Sequence, residues 1–591
     1  MKYRLQIVGR MPLLMLGVAL AFFVVPVVAS AQTVTGTLQG TVTDMNGAIV
    51  SGAEVLLHNV ETGQERSLKT NSDGFYLASF VSLGRYNLTI SQKGFTSVVR
   101  ENVEITLNQT RVVDVTMNPT GVSAAVTVTS EAAPINTTNG EIAGTLNSQQ
   151  ILDKPIANQT NFLTLAETFS GFQENPNSGQ NNPTLSSGSS INFNGTGTRG
   201  ATFQINGVNN DDSSENQNRQ GASLATIKEF QTLTNTPPAE FGRGYGAVVL
   251  VQTLSGTNKI HGSVYLFHND SALNATRNIL SPGVKKPVNR RNQYGFTAGF
   301  PFIKNRLFGF VSFDQTESTG AQTYTRDIFL PSERDPANWF KQTPANDTPA
   351  NRAFIQSVLA RFPTTLVPNT PAQSSRTFTG EANFDFPDRD YSGRLDWNPR
   401  QSDTVFARWQ YTRQRRTPQD VIKGEQAFQN NKQQNIGGTW THIFSDRTVG
   451  EFRYGLGLRT TLVNIGAGND TPVIRFTFPG GPGNGTIIGN AGAFPIQRYQ
   501  TDNQFVYNLS TLFRGAHFLK VGTDIRRQRL DDLADNFSRG FWSFSNNCNG
   551  VNYTTGFNAV LNGCISTFQK GFGPFFLENR INESIITLPT L

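Results

Sequence analysis

Tyr391-Ser392-Gly393-Arg394-Leu395-Asp396-Trp397-Asn398 and, after a short turn, Val405-Phe406-Ala407-Arg408-Trp409-Gln410-Tyr411-Thr412 decide the fold of this chain. In the first run Tyr391, Gly393, Leu395 and Trp397 alternate with Ser392, Arg394, Asp396 and Asn398, and the second run repeats the pattern. A period of two puts each set on its own face of a strand. The same alternation returns at Phe452, Tyr454, Leu456 and Leu458, and at Leu519, Val521 and Ile525. One face is mostly apolar and aromatic; the other is polar, charged or glycine. A soluble sheet resting on a core would alternate too. Three features favour strands that cross a membrane in a closed barrel. The runs are about ten residues, the length a tilted crossing strand needs. Full charges on the second face suit a wet or filled lumen. Connections are short at Pro399 to Asp403 and Ser445 to Arg447 but long from about Ser318 to Asp388 and Thr460 to Asp502, as in outer-membrane barrels.

Working outward, the chain of 591 residues is too long for one hydrophobic core. Only 16% of residues are charged, while Gly (55) and Phe (44) abound, which marks a turn-rich β protein. The formal charge is +7, and three of those charges, Lys2, Arg4 and Arg10, lie in the first 31 residues, so the excess is too weak to argue for nucleic acid. Met1 to Arg10 is basic, Met11 to Val28 is apolar, and Ala29-Ser30-Ala31 is small. That order reads as a cleaved signal peptide at 1–31. No later apolar run is long enough for a membrane helix, so any return to a membrane must use strands. Cys548 and Cys564 allow at most one bridge.

Residues 32–118 read as a small β-sandwich of about seven strands, with turn signals at Asn46-Gly47, Thr62-Gly63 and Asn71-Ser72-Asp73-Gly74. Residues 119–140 read as a linker. Residues 141–255 read as a mixed α/β unit: short helices between Glu141 and Thr168, β runs at Ile191-Asn192-Phe193 and Ala201 to Ile205, a turn at Asn206-Gly207, a helix-like piece from Ser223 to Phe230, and a strand from Ala247 to Thr253. Residues 256–591 carry the long alternating strands.

Few constellations suggest chemistry. His58-Asn59-Val60-Glu61 has a spacing used for zinc, but His58 has no neighbouring histidine, and a catalytic zinc needs three protein ligands. Gly195, Gly197 and Gly200 fit G-x-G-x-x-G, yet a strand follows rather than a helix, so the glycines read as a turn without a phosphate cradle. Asp211, Asp212 and Glu215 lack the spacing of a calcium loop and read as a solvated loop tip. Val126-Thr127-Val128-Thr129 is a β-prone run that serves equally as the sandwich's last strand or as a strand offered to a partner sheet. No catalytic residue, metal site or cofactor is expected.

Taken together the chain resembles the Oar-like TonB-dependent outer-membrane receptors, which join a carboxypeptidase-regulatory-like sandwich, a plug domain and a 22-stranded barrel. The resemblance rests on Gly40-Thr41-Val42-Thr43-Asp44 and Gly84-Arg85-Tyr86 in the sandwich, on Gln204-Ile205-Asn206-Gly207-Val208-Asn209-Asn210-Asp211 and Ala239-Glu240-Phe241-Gly242-Arg243 in the unit that follows, and on His261-Gly262-Ser263 and Gly299-Phe300-Pro301-Phe302 at the barrel's start. It implies a mainly β chain of signal peptide, sandwich, linker with a possible TonB box, α/β plug, and the N-terminal part of a transmembrane antiparallel β-barrel. It further implies location in the cell outer membrane, contact with its lipid, energy from the TonB–ExbB–ExbD complex, and import of an extracellular ligand. A non-transporting surface-binding or adhesion protein is the alternative. The plug apex loop, Asn209, Asn210, Asp211, Asp212, Glu215 and Asn216, is the expected ligand contact, and Val126, Thr127, Val128 and Thr129 the expected contact for TonB. About ten strands fit between Thr257 and the end; at that density 22 strands need roughly 740 residues, so a partial barrel is expected.

Overall fold

The computed structural model describes residues 35–120, 142–154, 161–174, 191–275 (less 198, 215, 236 and 239), 286–341, 344–369, 375–418, 427–465, 473–476, 486–488, 495–513 and 517–534, with short pieces at 541–544, 547–548 and 551–552. The first unit holds β1 (Gly36–Asp44), β2 (Glu54–Asn59), β3 (Glu65–Lys69), β4 (Phe75–Val81), β5 (Gly84–Ser91), β6 (Val98–Ile105), β7 (Thr110–Val112) and β8 (Val115–Met117). One sheet runs β4-β1-β7 with β8 also on β1, and the other runs β3-β2-β5-β6. Leu38, Val42, Val55, Leu57, Leu88 and Ile90 fill the space between them. There are eight strands rather than seven because the last run breaks in two as it passes β1: β7 pairs with Thr37 to Gln39, β8 with Val42 to Asp44.

The inner domain follows: β9 (Ile142–Asn147), α1 (Ser148–Asp153), a 3-10 turn at Phe162–Thr168, β10 (Phe172–Glu174), β11 (Ile191–Phe193), β12 (Ala201–Ile205), β13 (Val208–Asn209), β14 (Ile227–Asn235) and β15 (Ala247–Thr253). Its five-stranded sheet runs β13-β12-β15-β14-β9. Two sequence expectations are corrected here. Residues 142–147 form a strand where helix was expected, and only Leu224–Thr226 of the helix-like Ser223 to Phe230 is helical before β14 begins. Strand β14 lies between β15 and β9, and its two faces enter different cores, Phe230 on one side and Leu233 on the other. A strand buried on both faces loses the period of two that announces a strand.

Next come β16 (His261–Asp270), β17 (Asn289–Ile303), β18 (Leu307–Asp327), α2 (Pro349–Ala360), β19 (Thr377–Arg400), β20 (Asp403–Pro418), β21 (Ala427–Ser445), β22 (Thr448–Ile465), β23 (Val473–Phe476), β24 (Thr486–Ile488), β25 (Ile496–Phe513), β26 (His517–Ala534) and β27 (Phe541–Phe544). Strands β16 to β22, β25 and β26 make one antiparallel sheet of nine, with β16 and β26 at its edges. These strands outrun the expected ten residues: β18 and β19 stay paired from Leu307↔Trp397 to Asp327↔Thr377, well past a lipid band. The alternation read from the sequence is present. Trp397, Trp409 and Trp440 are 42–49% exposed on the convex face, whereas Gln410, Asn435 and Arg453 on the other face are 0–1% exposed.

The long connections are not featureless. Thr348 caps α2, its Oγ1 accepting from Asn351 N at 3.2 Å with Pro349 in the first turn. Phe354, Ile355 and Val358 of α2 then pack with Phe329, Trp339, Phe340 and Phe362 and with Ile474 and Phe476 of β23. A cap with its own core therefore stands at the long-loop end.

The sandwich stands at the other end, over the short turns. Gln64 Nε2 donates to Thr404 Oγ1 at 2.7 Å, and the hydroxyls of Ser79 and Ser510 are 2.8 Å apart. Leu107 of the sandwich packs with Leu233, Phe241, Val248 and Leu250 of the inner domain. Its N–H donates to Glu229 Oε1 at 2.9 Å.

Candidate functional site

The site is the contact between the concave wall of the nine-stranded sheet and the inner domain's segment 206–223. Asn206 and Gly207 both take positive φ, 50° and 72°, which makes the tight hairpin between β12 and β13 that an Asn-Gly pair favours. The hairpin reaches the wall at β22, where Arg453 Nη1 donates to Gly207 O at 3.1 Å. Val208 seats on Gly437 and Gly455; a Cβ at either glycine would come within 2.6 Å of a Val208 methyl.

Beyond the hairpin, polar contacts hold the segment. Asn209 N donates to Gln504 Oε1 at 2.8 Å, and Asn209 Oδ1 accepts from Arg526 Nη1 at 3.1 Å. Arg219, fully buried, donates to Asn209 O at 2.7 Å and to Asp502 Oδ2 at 2.9 Å. Asp212 pairs with Arg459, also buried. Gln220 Nε2 donates to Thr412 Oγ1 at 2.8 Å, Gln410 Nε2 to Gly221 O at 2.8 Å, and Ser223 Oγ to Asp314 Oδ2 at 3.0 Å. At the sheet's two edges, Tyr265 on β16 approaches Ser223 and Arg526 on β26 holds Asn209. One compact segment thus touches both edge strands, so the nine strands curl around it.

The electrostatics follow from burial. Removal from water pushes the Asp211 carboxyl up, against the Arg526 guanidinium and hydrogen bonds from Phe203 N (2.7 Å) and Thr202 Oγ1 (2.8 Å). Burial also opposes ionisation of Asp212, but Arg459 and the two Ser214 donors outweigh it and hold that carboxyl below the usual range. A buried ion pair is costly to halve, because the survivor remains an unpaired charge in a poor dielectric. The arrangement can therefore act as a latch, firm while every pair is made and released when one is displaced.

Of the residues singled out in the sequence, Asn209, Asn210, Asp211 and Asp212 come together here, all at most 4% exposed. The solvated tip expected of this loop is not found: Thr202 and Phe203 hold the Asp211 carboxylate, and Arg459 with Ser214 holds that of Asp212. Asn216 is half-buried, its amide donating to Arg199 O at 2.7 Å, and Glu215 lies outside the described residues. Val126, Thr127, Val128 and Thr129 also lie outside them, as does Cys564. His58 meets Glu65 across β2 and β3 at 3.2 Å, while Glu61 faces Lys228 of the inner domain. Gly195, Gly197 and Gly200 fall in the turn between β11 and β12. Sequence reading missed Arg219, Arg453, Arg459, Asp502 and Arg526. The available signal was that four of them are charges at lumen-facing positions of alternating strands.

A cavity of about 90 Å³ lies beneath the latch where sandwich, inner domain and wall meet, lined by Glu61, Lys228, Arg394, Asp396 and Glu451 among others.

Residues 252–584 match the family described as outer membrane beta barrel domain, and residues 37–118 match the carboxypeptidase regulatory-like domain. The chain is 26% identical over 263 residues to the TonB-dependent transporter Oar of Myxococcus xanthus, covering 42% of this chain and 24% of that one. Among solved structures it is similar to the siderophore receptor PirA from Acinetobacter baumannii, with a TM-score of 0.41 and 14% identity over 66% of this chain and 48% of that one. It is also similar to the outer membrane transporter YddB from Escherichia coli, with a TM-score of 0.46 and 12% identity over 68% of this chain and 50% of that one. The chain thus spans about a quarter of the curated relative's length and about half that of the solved structures.

Proposed function

The chain belongs to the outer membrane beta barrel domain family, and from that premise we propose that it acts as a TonB-dependent outer-membrane receptor whose inner domain is the plug. The observation that carries this reading is the buried latch, Arg219 with Asp502 and Asp212 with Arg459, which ties a separate folded unit to the lumen face of the sheet. Similarity to a transporter that depends on TonB supports it. On this reading residues 1–31 are the export signal, 32–118 the sandwich, 119–140 the linker, 141–255 the plug and 256–591 the barrel part.

An extracellular ligand arrives at the long-loop end. Within the loop Asn209, Asn210, Asp211, Asp212, Glu215 and Asn216, the half-buried Asn216 makes the contact, and Asp211 and Asp212 carry its effect to the latch. Val126 to Thr129 adds as a strand to TonB of the TonB–ExbB–ExbD complex, since pairing needs only an unpaired backbone edge. Siderophore, cobalamin, glycan and peptide are all compatible chemistries. The test is uptake of labelled examples of each by cells carrying the chain, with and without a protonophore. Uptake of one class that stops with the gradient is expected; uptake indifferent to it contradicts transport.

A non-transporting surface receptor draws on one observation, the sandwich seated over the short turns through Gln64 with Thr404 and Ser79 with Ser510. Ligand handling unchanged by deletion of residues 122–131 would favour it.

A further inference from the structure

Three cations stand side by side on the convex face of the wall. Strand register sets Arg389 of β19 opposite Arg413 of β20, and Arg413 opposite Lys432 of β21. Each shares its strand face with an outward aromatic or apolar residue: Arg389 with Tyr391, Arg413 with Tyr411 and Trp409, Lys432 with Ile436 and Trp440. Like charges at directly opposed sheet positions, about 5 Å apart, repel unless an anion lies between them. Arg389 and Lys432 are exposed, and no side chain among the described residues forms an ion pair with any of the three. Arg413 is half-buried, and its Nε is sequestered from solvent without a hydrogen-bond partner. Arg415, one outward position further along β20, is exposed and adds a fourth cation. Among the described residues the acids on this face form no ion pair with the group. Glu317 is engaged by Tyr294 OH at 3.2 Å and Gln315 Nε2 at 2.6 Å, and Asp385 stands opposite Thr417, beyond the triad.

The height of the group narrows its partner. From Val405 to Arg413 strand β20 climbs about 27 Å along its axis, or about 19 Å when tilted by about 45°, so Arg413 lies near the upper edge of a band about 25 Å tall. The row just below is Tyr391 opposite Tyr411, aromatic residues of the kind that mark a membrane interface. The long connections lie above. A cationic row between an aromatic girdle and the outer loops sits at headgroup level.

We propose that Arg389, Arg413 and Lys432 bind the phosphate of a phosphorylated lipid in the outer leaflet. Arginine presents a planar donor fork to phosphate oxygens, and lysine adds a point charge. A phosphate placed over the row converts repulsion among the three into shared attraction and gives the Arg413 Nε an acceptor. The site rests on the membrane reading of the nine-stranded sheet.

The test uses the full chain in phosphatidylcholine nanodiscs doped with a diphosphoryl glycolipid or with its dephosphorylated form, and native mass spectrometry to count retained lipid. The parent chain should retain the diphosphoryl form selectively, R389Q/R413Q/K432Q should lose about tenfold of that retention, and K69Q/K93Q/R100Q, an equal charge change in the sandwich, should match the parent. A triple variant that retains the lipid as well as the parent overturns the site. Lipid displaced by millimolar inorganic phosphate overturns the lipid assignment, since a soluble anion would then suffice. Should the triple variant misfold, the exposed K432Q alone must still weaken retention by two- to threefold. A parent chain that never enters nanodiscs overturns the membrane reading itself, a different result from one that enters but does not distinguish the two lipids.

Discussion

Arg219 and Asp502 are 283 residues apart in the chain and 2.9 Å apart in the fold, both buried, and they join the inner domain to the wall. Removing one partner strands the other charge. D502N should therefore cost about 3–5 kcal/mol, whereas R219M/D502L, which removes both charges, should recover most of the loss. Hydrogen exchange across 207–223 reads the effect, with protection low in D502N and near parental in the double variant. Equal protection in all three would mean that the pair does not hold the segment.

Gly457 makes room for the same guanidinium. A Cβ there would fall 2.0–2.1 Å from the Arg219 head, whereas one at Gly393 on the convex face would meet nothing within 4 Å. G457A should destabilise the latch by about 1–3 kcal/mol, and G393A should stay within about 0.5 kcal/mol of the parent. Thermal unfolding of the two variants side by side checks the contrast.

Glu229 brings pH into the sandwich contact. Burial raises its carboxyl from the usual 4.5 to about 7, against the hydrogen bond from Leu107 N. Lys228 and Glu104 are the charged groups near it. A carboxyl raised in the folded state binds more protons there than in the open one. Its contribution is therefore complete below about pH 4.5 and is lost as pH rises through about 7, an effect of at most about 3 kcal/mol. Protection of the Leu107 amide, corrected for intrinsic exchange, should fall between pH 5 and 8 in the parent and stay level in E229Q. A variant that follows the parental curve would assign the pH effect elsewhere.

The cap at the long-loop end should unfold by itself. Ile355 is fully buried between α2 and β23, and I355A should cost about 2–5 kcal/mol locally. Exchange should rise in 349–366 and 473–476 while 207–223 stays protected. A matching rise in 207–223 would make cap and latch one cooperative unit.

What the sequence displayed was local. The Asn206-Gly207 turn, the sandwich turns and the two-residue alternation from Tyr391 onward all depend on neighbours in the chain. Strand β14 was hidden because Leu224, Ile227, Phe230 and Leu233 recur every three residues, as on a helix, while Phe230 and Leu233 in fact enter different cores and the polar Glu229, Gln231 and Thr232 are buried between them. The helix α2 did have a signal, Thr348-Pro349 ahead of Phe354, Ile355 and Val358, but it stood inside a stretch defined by the strands around it. The burial of Asp211 and Asp212 had none nearby. Two carboxylates among Asn and Ser read as solvated until Arg459 and Arg526, about 250 and 315 residues away, are brought against them.

The central claim is that the nine strands turn Trp397, Trp409 and Trp440 to lipid while Trp339 stays inside the cap. Variants keeping one tryptophan at a time, reconstituted in bilayers with brominated acyl chains, measure this directly. Strong quenching at 397, 409 and 440 with little at 339 is the predicted result. Equal, weak quenching at all four positions, in a chain that stays in the aqueous phase, would contradict the account.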